Sequence, residues 1–366
     1  MTPTYFRADR IFTGESWIKD QAIVVENKRI KNVVPLSELN SAHRVRSYPS
    51  CSIVPAFIDL QVYGAQGKLL SVYPEVQTLL DLAEFCNKSG TAFCLPTVAT
   101  NSKEVLLKSI KAVRDYREKE GDAILGLHLE GPWLNPLKRG AHIESLIHSP
   151  TMEEVSDLVD QGEGVIKMIT LAPEVCSGEV IDFILSRDII ISAGHSNATY
   201  KEGRAGFARG IRAATHLFNA MSSMQHREPG LPGAIMDDEK VMASIIPDGY
   251  HVDYSMIRIA KKIMKERLFA ITDAVTETKI GAYPHQLTGD KYEASGILSG
   301  SALTMSKALK NLVDNVGIEL GEAVRMCSLY PARVIGREQE LGMISPGYIC
   351  KMVVLDEKLE IADVIV

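Results

Sequence analysis

The stretch 123-AILGLHLE-130 reads as one short apolar strand, yet it places an imidazole at His128 and a carboxylate at Glu130. Side chains two apart on a strand share a face. A buried face holds such a pair only where something satisfies it. Seven more runs of similar length surround this one: 53-IVPAFIDLQV-62, 92-AFCLPTVA-99, 166-IKMITLAP-173, 188-DIIISAGH-195, 213-AATHLF-218, 241-VMASIIPD-248 and 268-LFAITDA-274. Amphipathic helical patterns lie between them, for example 103-KEVLLKSIKAVRDYREKE-120 and 253-DYSMIRIAKKIMKE-266. Eight strands alternating with helices predict an α/β fold, a (β/α)8 TIM-like barrel, whose chemistry sits at the C-terminal strand ends.

The two ends of the chain read differently. Residues 1–52 hold short β-like runs such as 22-AIVVE-26 and 29-RIKNVV-34, and the tail returns to β character in 352-MVVLD-356 and 360-EIADVIV-366. The expected organisation is a small β-sandwich domain from both ends, 1–52 and 337–366, flanking a catalytic barrel over 53–336. A chain of 366 residues with 46% hydrophobic and 23% charged residues is long enough to bury costly polar groups. The net charge of −6, with no long basic stripe, argues against a nucleic-acid surface but leaves room for a small anionic ligand. Six cysteines are scattered without a CxxC pair, the pattern of reduced thiols in a cytoplasmic protein. No apolar window approaches the roughly 18 residues of a membrane span, and the N-terminus lacks a signal-peptide core.

The polar residues gather where the barrel strands finish. Strand one ends in Asp59 and Gln61, strand three in His128 and Glu130, and strand five in His195. Strand six carries His216, strand seven runs out to His251, and strand eight ends in Asp273. For each histidine alone, a hydrogen-bonded core residue is the commoner explanation. Together they converge on one axis, because strand ends meet at the mouth of a closed barrel. Glu130, His195 and His216 form a three-ligand set. Two imidazoles and a carboxylate suit one divalent metal per subunit, Zn²⁺ on ligand type, though Fe²⁺, Mn²⁺ or Co²⁺ fits the same donors. Asp273 is then placed to act as general base and acid, while Asp59 reads as a structural carboxylate. His128 reads as a supporting or packing residue. Arg227, in the loop 225-QHREPGLPG-233, reads equally as an anion-binding fork or a solvated surface residue, and His251 is a second donor for the same anion. His142 alone is indistinguishable from the surface histidines expected at His43, His148, His226 and His285.

A set of longer motifs narrows the reading: 55-PAFIDLQVYGAQG-67, 126-GLHLEGPWLNPLKRGAH-142, 193-AGHSNAT-199, 215-THLFNAM-221, 227-REPGLPGAI-235, 248-DGYHVD-253, 271-ITDA-274 and 298-LSGSALTM-305. Over nearly its whole length the chain resembles the N-acetylglucosamine-6-phosphate deacetylases of the amidohydrolase superfamily. The resemblance implies a metal-dependent amide hydrolase that releases acetate from a phosphorylated amino sugar. It implies Glu130, His195 and His216 as metal ligands and Asp273 as the carboxylate that activates water and protonates the departing amine. It implies that His142 polarises the acetamide carbonyl, next to Ala141 in the substrate site. Asn219 and Ala220 match a substrate-binding pair. Arg227 and His251 match groups that hold the sugar and its phosphate, one of them across a homodimer interface. Leu298, Ser299 and Gly300 match a segment near the acetyl group. Two departures stand out. Many amidohydrolases carry an HxH pair at the end of strand one, where this chain has 61-QVY-63, and the lead into the last strands reads 349-ICKMVVLD-356. The first predicts a one-metal site with Tyr63 reshaping the pocket. Competing readings are an N-acetylgalactosamine-6-phosphate deacetylase, a D-aminoacylase, a non-catalytic scaffold on the same fold, and a sugar-phosphate-binding regulator.

Overall fold

The computed structural model describes residues 3–119, 121–294 and 296–365. Glu120 and Val366, the last residues of two expected elements, and the first two residues of the expected small domain lie outside the described residues. Eight parallel strands run in chain order around a barrel: Phe57–Val62, Thr91–Ala99, Leu127–Glu130, Ile166–Leu171, Ile190–Ala193, Ala213–Ala214, Met242–Ile245 and Leu268–Ala270. Every residue of the first three is buried, as expected when helices cover one face of a strand and barrel side chains the other. Backbone bonds close the seam between the first and last strands: Asp273 N–H donates to Gln61 O at 3.0 Å and Tyr63 N–H to Ala274 O at 2.9 Å.

The helices bury one stripe each. Lys103–Lys119 turns Leu106, Ile110 and Val113 inward and leaves its lysines outside. Capping sets where helices start. Thr199, four residues after His195, accepts from Glu202 N–H at 3.3 Å, and Glu202 accepts from Thr199 N–H at 2.8 Å, a reciprocal capping box that ends the strand-five loop.

Both ends of the chain enter one seven-stranded sheet. Thr4–Phe12 pairs in parallel with Arg44–Pro55, which pairs on its other side with Met352–Leu355. Phe6, Ile11, Ile23, Ile53, Met352 and Val354 belong to its own apolar cluster, separate from the barrel core. The run expected as one strand over 53–62 is therefore two: Ile53, Val54 and Pro55 face the C-terminal strand, and the barrel strand begins at Phe57. A further element was not expected from the sequence. After the eighth strand, Gln286–Thr288, Lys291–Ala294 and Ile297–Ser301 form a three-stranded antiparallel sheet beside the barrel mouth.

Candidate active site and metal centre

The later barrel strands are shorter than their apolar runs because the backbone leaves the ladder at the polar residues singled out in the sequence. His195, His216 and Asp273 have φ of +46°, +35° and +54°, and Ala220 follows at +48°. Left-handed backbone at a non-glycine residue costs about 1–3 kcal/mol and persists only where surroundings impose it. Here they do. Asn135 N–H donates to His195 O at 2.9 Å. Glu174 accepts from Ser196 Oγ at 2.6 Å, Asn197 N–H at 2.6 Å and Asn135 Nδ2 at 3.0 Å, tying the loops after strands three, four and five together. His216 N–H donates to Ser244 Oγ at 2.7 Å.

These turns point three side chains at one spot. His216 Nε2 lies 3.1 Å from Glu130 Oε1 and 3.1 Å from His195 Nε2, and His195 Nε2 lies 3.3 Å from Glu130 Oε1. All three residues are buried. Two imidazole nitrogens aimed at each other and at one carboxylate oxygen form a poor set of mutual hydrogen bonds. They form a good face of a coordination tetrahedron, whose edges are about 3.3–3.4 Å for bonds of about 2.0–2.1 Å. His195 Nδ1 lies 2.9 Å from Lys138 O; donation there leaves Nε2 as the ligating atom. The donor set fits a divalent cation. Burial works to raise the Glu130 carboxyl, but the charge of His195 and the bonds from His142, His195 and His216 hold it well below the ordinary range.

The other oxygen of Glu130 is occupied by the protein. Tyr63 OH donates to Oε2, and His142 Nε2 lies 3.1 Å from it. Gln61 Nε2 donates to Asp273 Oδ1 at 2.6 Å and Glu130 Oε1 at 3.0 Å, and lies 2.9 Å from the Tyr63 hydroxyl. The departure at 61–63 thus supplies hydrogen-bond donors where an HxH pair would supply lone pairs. Burial, then the carboxylates of Glu130 and Asp273, push the Tyr63 phenol well above its ordinary value, so it remains a donor. Burial and the charge of Glu130 push the Asp273 carboxyl well above the usual range. Burial lowers His142 to about 4, so its imidazole is neutral. His142 Nδ1 meets Thr100 Oγ1 at 2.8 Å and Thr100 N–H at 3.3 Å.

One cavity at the barrel mouth collects most of the residues singled out in the sequence. Glu130, His142, His195, His216 and Asp273 line it, with Ala141, Asn219 and Ala220 on the rim loops. His251, Leu298, Ser299 and Gly300 border it from the far side. Asp248 Oδ2 lies 2.6 Å from His251 Nδ1 and orients that ring. Arg227 is exposed in the loop ahead of the helix Gly230–Asp237 and does not border the cavity of its own chain. His285 corrects an expectation. It is 5% exposed, lines the cavity and holds Ser299 Oγ at 2.9 Å through Nδ1, because the unexpected three-stranded sheet carries it inward. Tyr283 and Thr100 were missed for a related reason: no local pattern distinguishes them. His128 points into the barrel beneath Glu130. Its Nδ1 lies 3.0 Å from Leu60 O and its Nε2 2.8 Å from Thr170 Oγ1.

Comparison with known proteins places this geometry. The amidohydrolase family matches residues 52–366, and a NagA composite domain matches residues 8–46. An N-acetylglucosamine-6-phosphate deacetylase of Haemophilus influenzae is 34% identical over 97% of this chain and 96% of its own length. An N-acetylgalactosamine-6-phosphate deacetylase of Escherichia coli O157:H7 is 30% identical over 98% of this chain and 96% of its own. The crystal structure of N-acetylglucosamine-6-phosphate deacetylase from Pasteurella multocida superposes with a TM-score of 0.95 at 33% identity, covering 100% of this chain and 98% of that one. The barrel, the converging Glu130, His195 and His216, and these matches together establish that the chain belongs to the amidohydrolase family.

Proposed function

We propose that this chain hydrolyses N-acetyl-D-glucosamine 6-phosphate to D-glucosamine 6-phosphate and acetate. The observation that carries the reading is one cavity at the barrel mouth holding the buried Glu130, His195 and His216 beside Asp273 and His142, in a chain whose full-length relatives carry that activity in their names. One metal per subunit, Zn²⁺ by donor type, is held by Glu130, His195 and His216; when bound it supplies Lewis-acid polarisation and a more acidic water. Asp273 takes a proton from the attacking water as oxygen adds to the acetamide carbon. His142 Nε2–H donates to the carbonyl oxygen as negative charge develops there, the preorganised stabilisation that dominates acyl transfer. Asp273 then delivers the proton to the sugar nitrogen, the C–N bond breaks, and acetate and the free amine leave. Gln61 holds Asp273 at Oδ1 and thereby aims its other oxygen.

Ala141, Asn219 and Ala220 position the sugar, and Leu298, Ser299 and Gly300 line the acetyl side. His251 binds near the phosphate. Arg227, exposed in one chain, reaches the phosphate in the cavity of a partner subunit, so the working form is a homodimer. Binding energy at the phosphate orients the acetamide, remote from the bond that breaks. The domain assignment is a small β domain built from both chain ends and a catalytic barrel, with the expected boundary at 52/53 moved to Phe57 because residues 53–55 pair with the strand Met352–Leu355 in the small sheet. A cytoplasmic location is supported by six cysteines, none in a disulfide, and by the lack, among the described residues, of any helix long and apolar enough to cross a membrane.

The relative named for the galactosamine epimer supports one second reading, the same chemistry on N-acetyl-D-galactosamine 6-phosphate. Acetate release from the two phosphorylated sugars at equal concentration, with unphosphorylated N-acetylglucosamine as control, tests both. The account expects rapid release from the gluco phosphate and little from the unphosphorylated sugar. Preferential release from the galacto phosphate transfers the assignment to the epimer. No release from any sugar removes the named reaction.

A further inference from the structure

We propose that Thr100 is a positioning residue that sets the tautomer of His142. This rests on the donor role given to His142 above. Thr100 follows the second barrel strand directly and has 0% exposure. Its backbone N–H points at His142 Nδ1 at 3.3 Å, and its Oγ1 lies 2.8 Å from the same atom. Oγ1 also lies 3.4 Å from Glu130 O, a more distant acceptor for its proton than Nδ1. With the hydroxyl donating at the shorter distance and the N–H at the longer one, Nδ1 accepts and the ring proton lies on Nε2. Nε2 is the nitrogen 3.1 Å from Glu130 Oε2, the side from which a carbonyl oxygen must be met. The opposite tautomer would present a lone pair to the developing oxyanion.

Thr100 is itself fixed from two sides. Tyr283 OH, from the segment after the eighth strand, donates to Thr100 O at 2.5 Å. On the other side lies Gly131, with φ of +85°, where an added Cβ would come within 2.3 Å of Thr100 Oγ1. Glycine immediately after Glu130 therefore lets the threonine approach the histidine. The segment carrying Tyr283 thus bears on the reacting side chains through Thr100.

The test uses the full chain loaded with Zn²⁺ and labelled with ¹⁵N-histidine, with the His142 ring signals assigned by their loss in His142→Gln. The wild-type ring is expected as Nε2–H, and Thr100→Ser is expected to keep that form with kcat within about threefold. Thr100→Val removes the closer Oγ1 contact and leaves only the longer N–H contact at Nδ1. It is expected to raise the Nδ1–H share of the ring above its wild-type level and to lower kcat by about tenfold to a hundredfold, the range for second-layer groups, with KM little changed. An Nδ1–H ring in the wild type overturns the proposal, and that spectrum needs no variant to fold. So does a Thr100→Val protein with an unchanged tautomer, whether its kcat falls or not. The ring signals are read without substrate. Failure of the wild type to release acetate would therefore count against the proposed reaction and leave the tautomer assignment standing.

Discussion

His128 and Glu130 sit two residues apart on one strand, face the same way and are buried to 1% and 2% exposure. Their surroundings differ in kind. His128 belongs to a layer in which the protein answers every polar group: Leu60 O and Thr170 Oγ1 take its two nitrogens, Thr170 Oγ1 meets Thr215 Oγ1 at 2.6 Å, and Thr215 Oγ1 meets Ser192 Oγ at 2.6 Å. One layer higher, Glu130 Oε1 faces His195 Nε2 and His216 Nε2, and those nitrogens face each other. A closed network needs nothing from outside the chain. An array of converging acceptors does. The difference between a structural and a functional buried histidine lies in where the lone pairs end, which burial does not reveal.

Three changes probe that contrast. The largest effect is expected from Asp273→Asn, which removes the proposed proton carrier but keeps the shape of the upper layer. Turnover should fall by about 10²–10⁴-fold, the usual worth of general acid–base catalysis, with bound metal retained by elemental analysis. Near-normal turnover would show that another group moves the proton. A smaller effect is expected at Asp59, which straps strand one to strand eight by accepting from Thr272 Oγ1 at 2.5 Å, Thr272 N–H at 3.2 Å and Gln61 N–H at 3.2 Å. Burial raises its carboxyl from 3.8 to about 6, against the pull of those donors. The folded chain therefore binds the proton more tightly than the unfolded one. This contribution is complete below pH 3.8 and is lost as pH rises through about 6, an effect of about 3 kcal/mol. Asp59→Asn should flatten the denaturation midpoint against pH over that window; an unchanged slope would remove Asp59 as its source. The smallest effect is expected from His128→Leu, which takes the ring nitrogen away from Leu60 O and leaves Thr170 Oγ1 with only its bond to Thr215 Oγ1, at a cost of about 1–3 kcal/mol. Chemical denaturation should register the loss while turnover stays within a few-fold. A collapse of activity at undiminished stability would place His128 in the upper layer.

Much of this was legible before any coordinates. Alternating apolar runs and helical patterns carry the barrel because strand and helix periods differ, and strand ends must converge once the barrel closes. Glu130, His195, His216 and Asp273 were therefore readable from position alone, whereas His142, Asn219 and Leu298 needed the family resemblance. What stayed hidden depended on tertiary contact. His285 is carried inward by a three-stranded sheet whose segments, Gln286–Thr288 and Lys291–Ala294, are short and polar and carry no periodic signal. Thr100 and Tyr283 matter through a bond spanning 183 positions. The strand ends were over-extended because apolar patterning is blind to the left-handed turns at His195, His216 and Asp273.

The most direct test of the account is the metal content of the purified wild type, His216→Ala and His128→Leu, measured side by side after dialysis against Zn²⁺ and removal of the excess. The account predicts about one equivalent per chain in the wild type and in His128→Leu, and little in His216→Ala, following the ligand count of such sites. Equal loss in both variants, or a wild type that retains no metal, would contradict it.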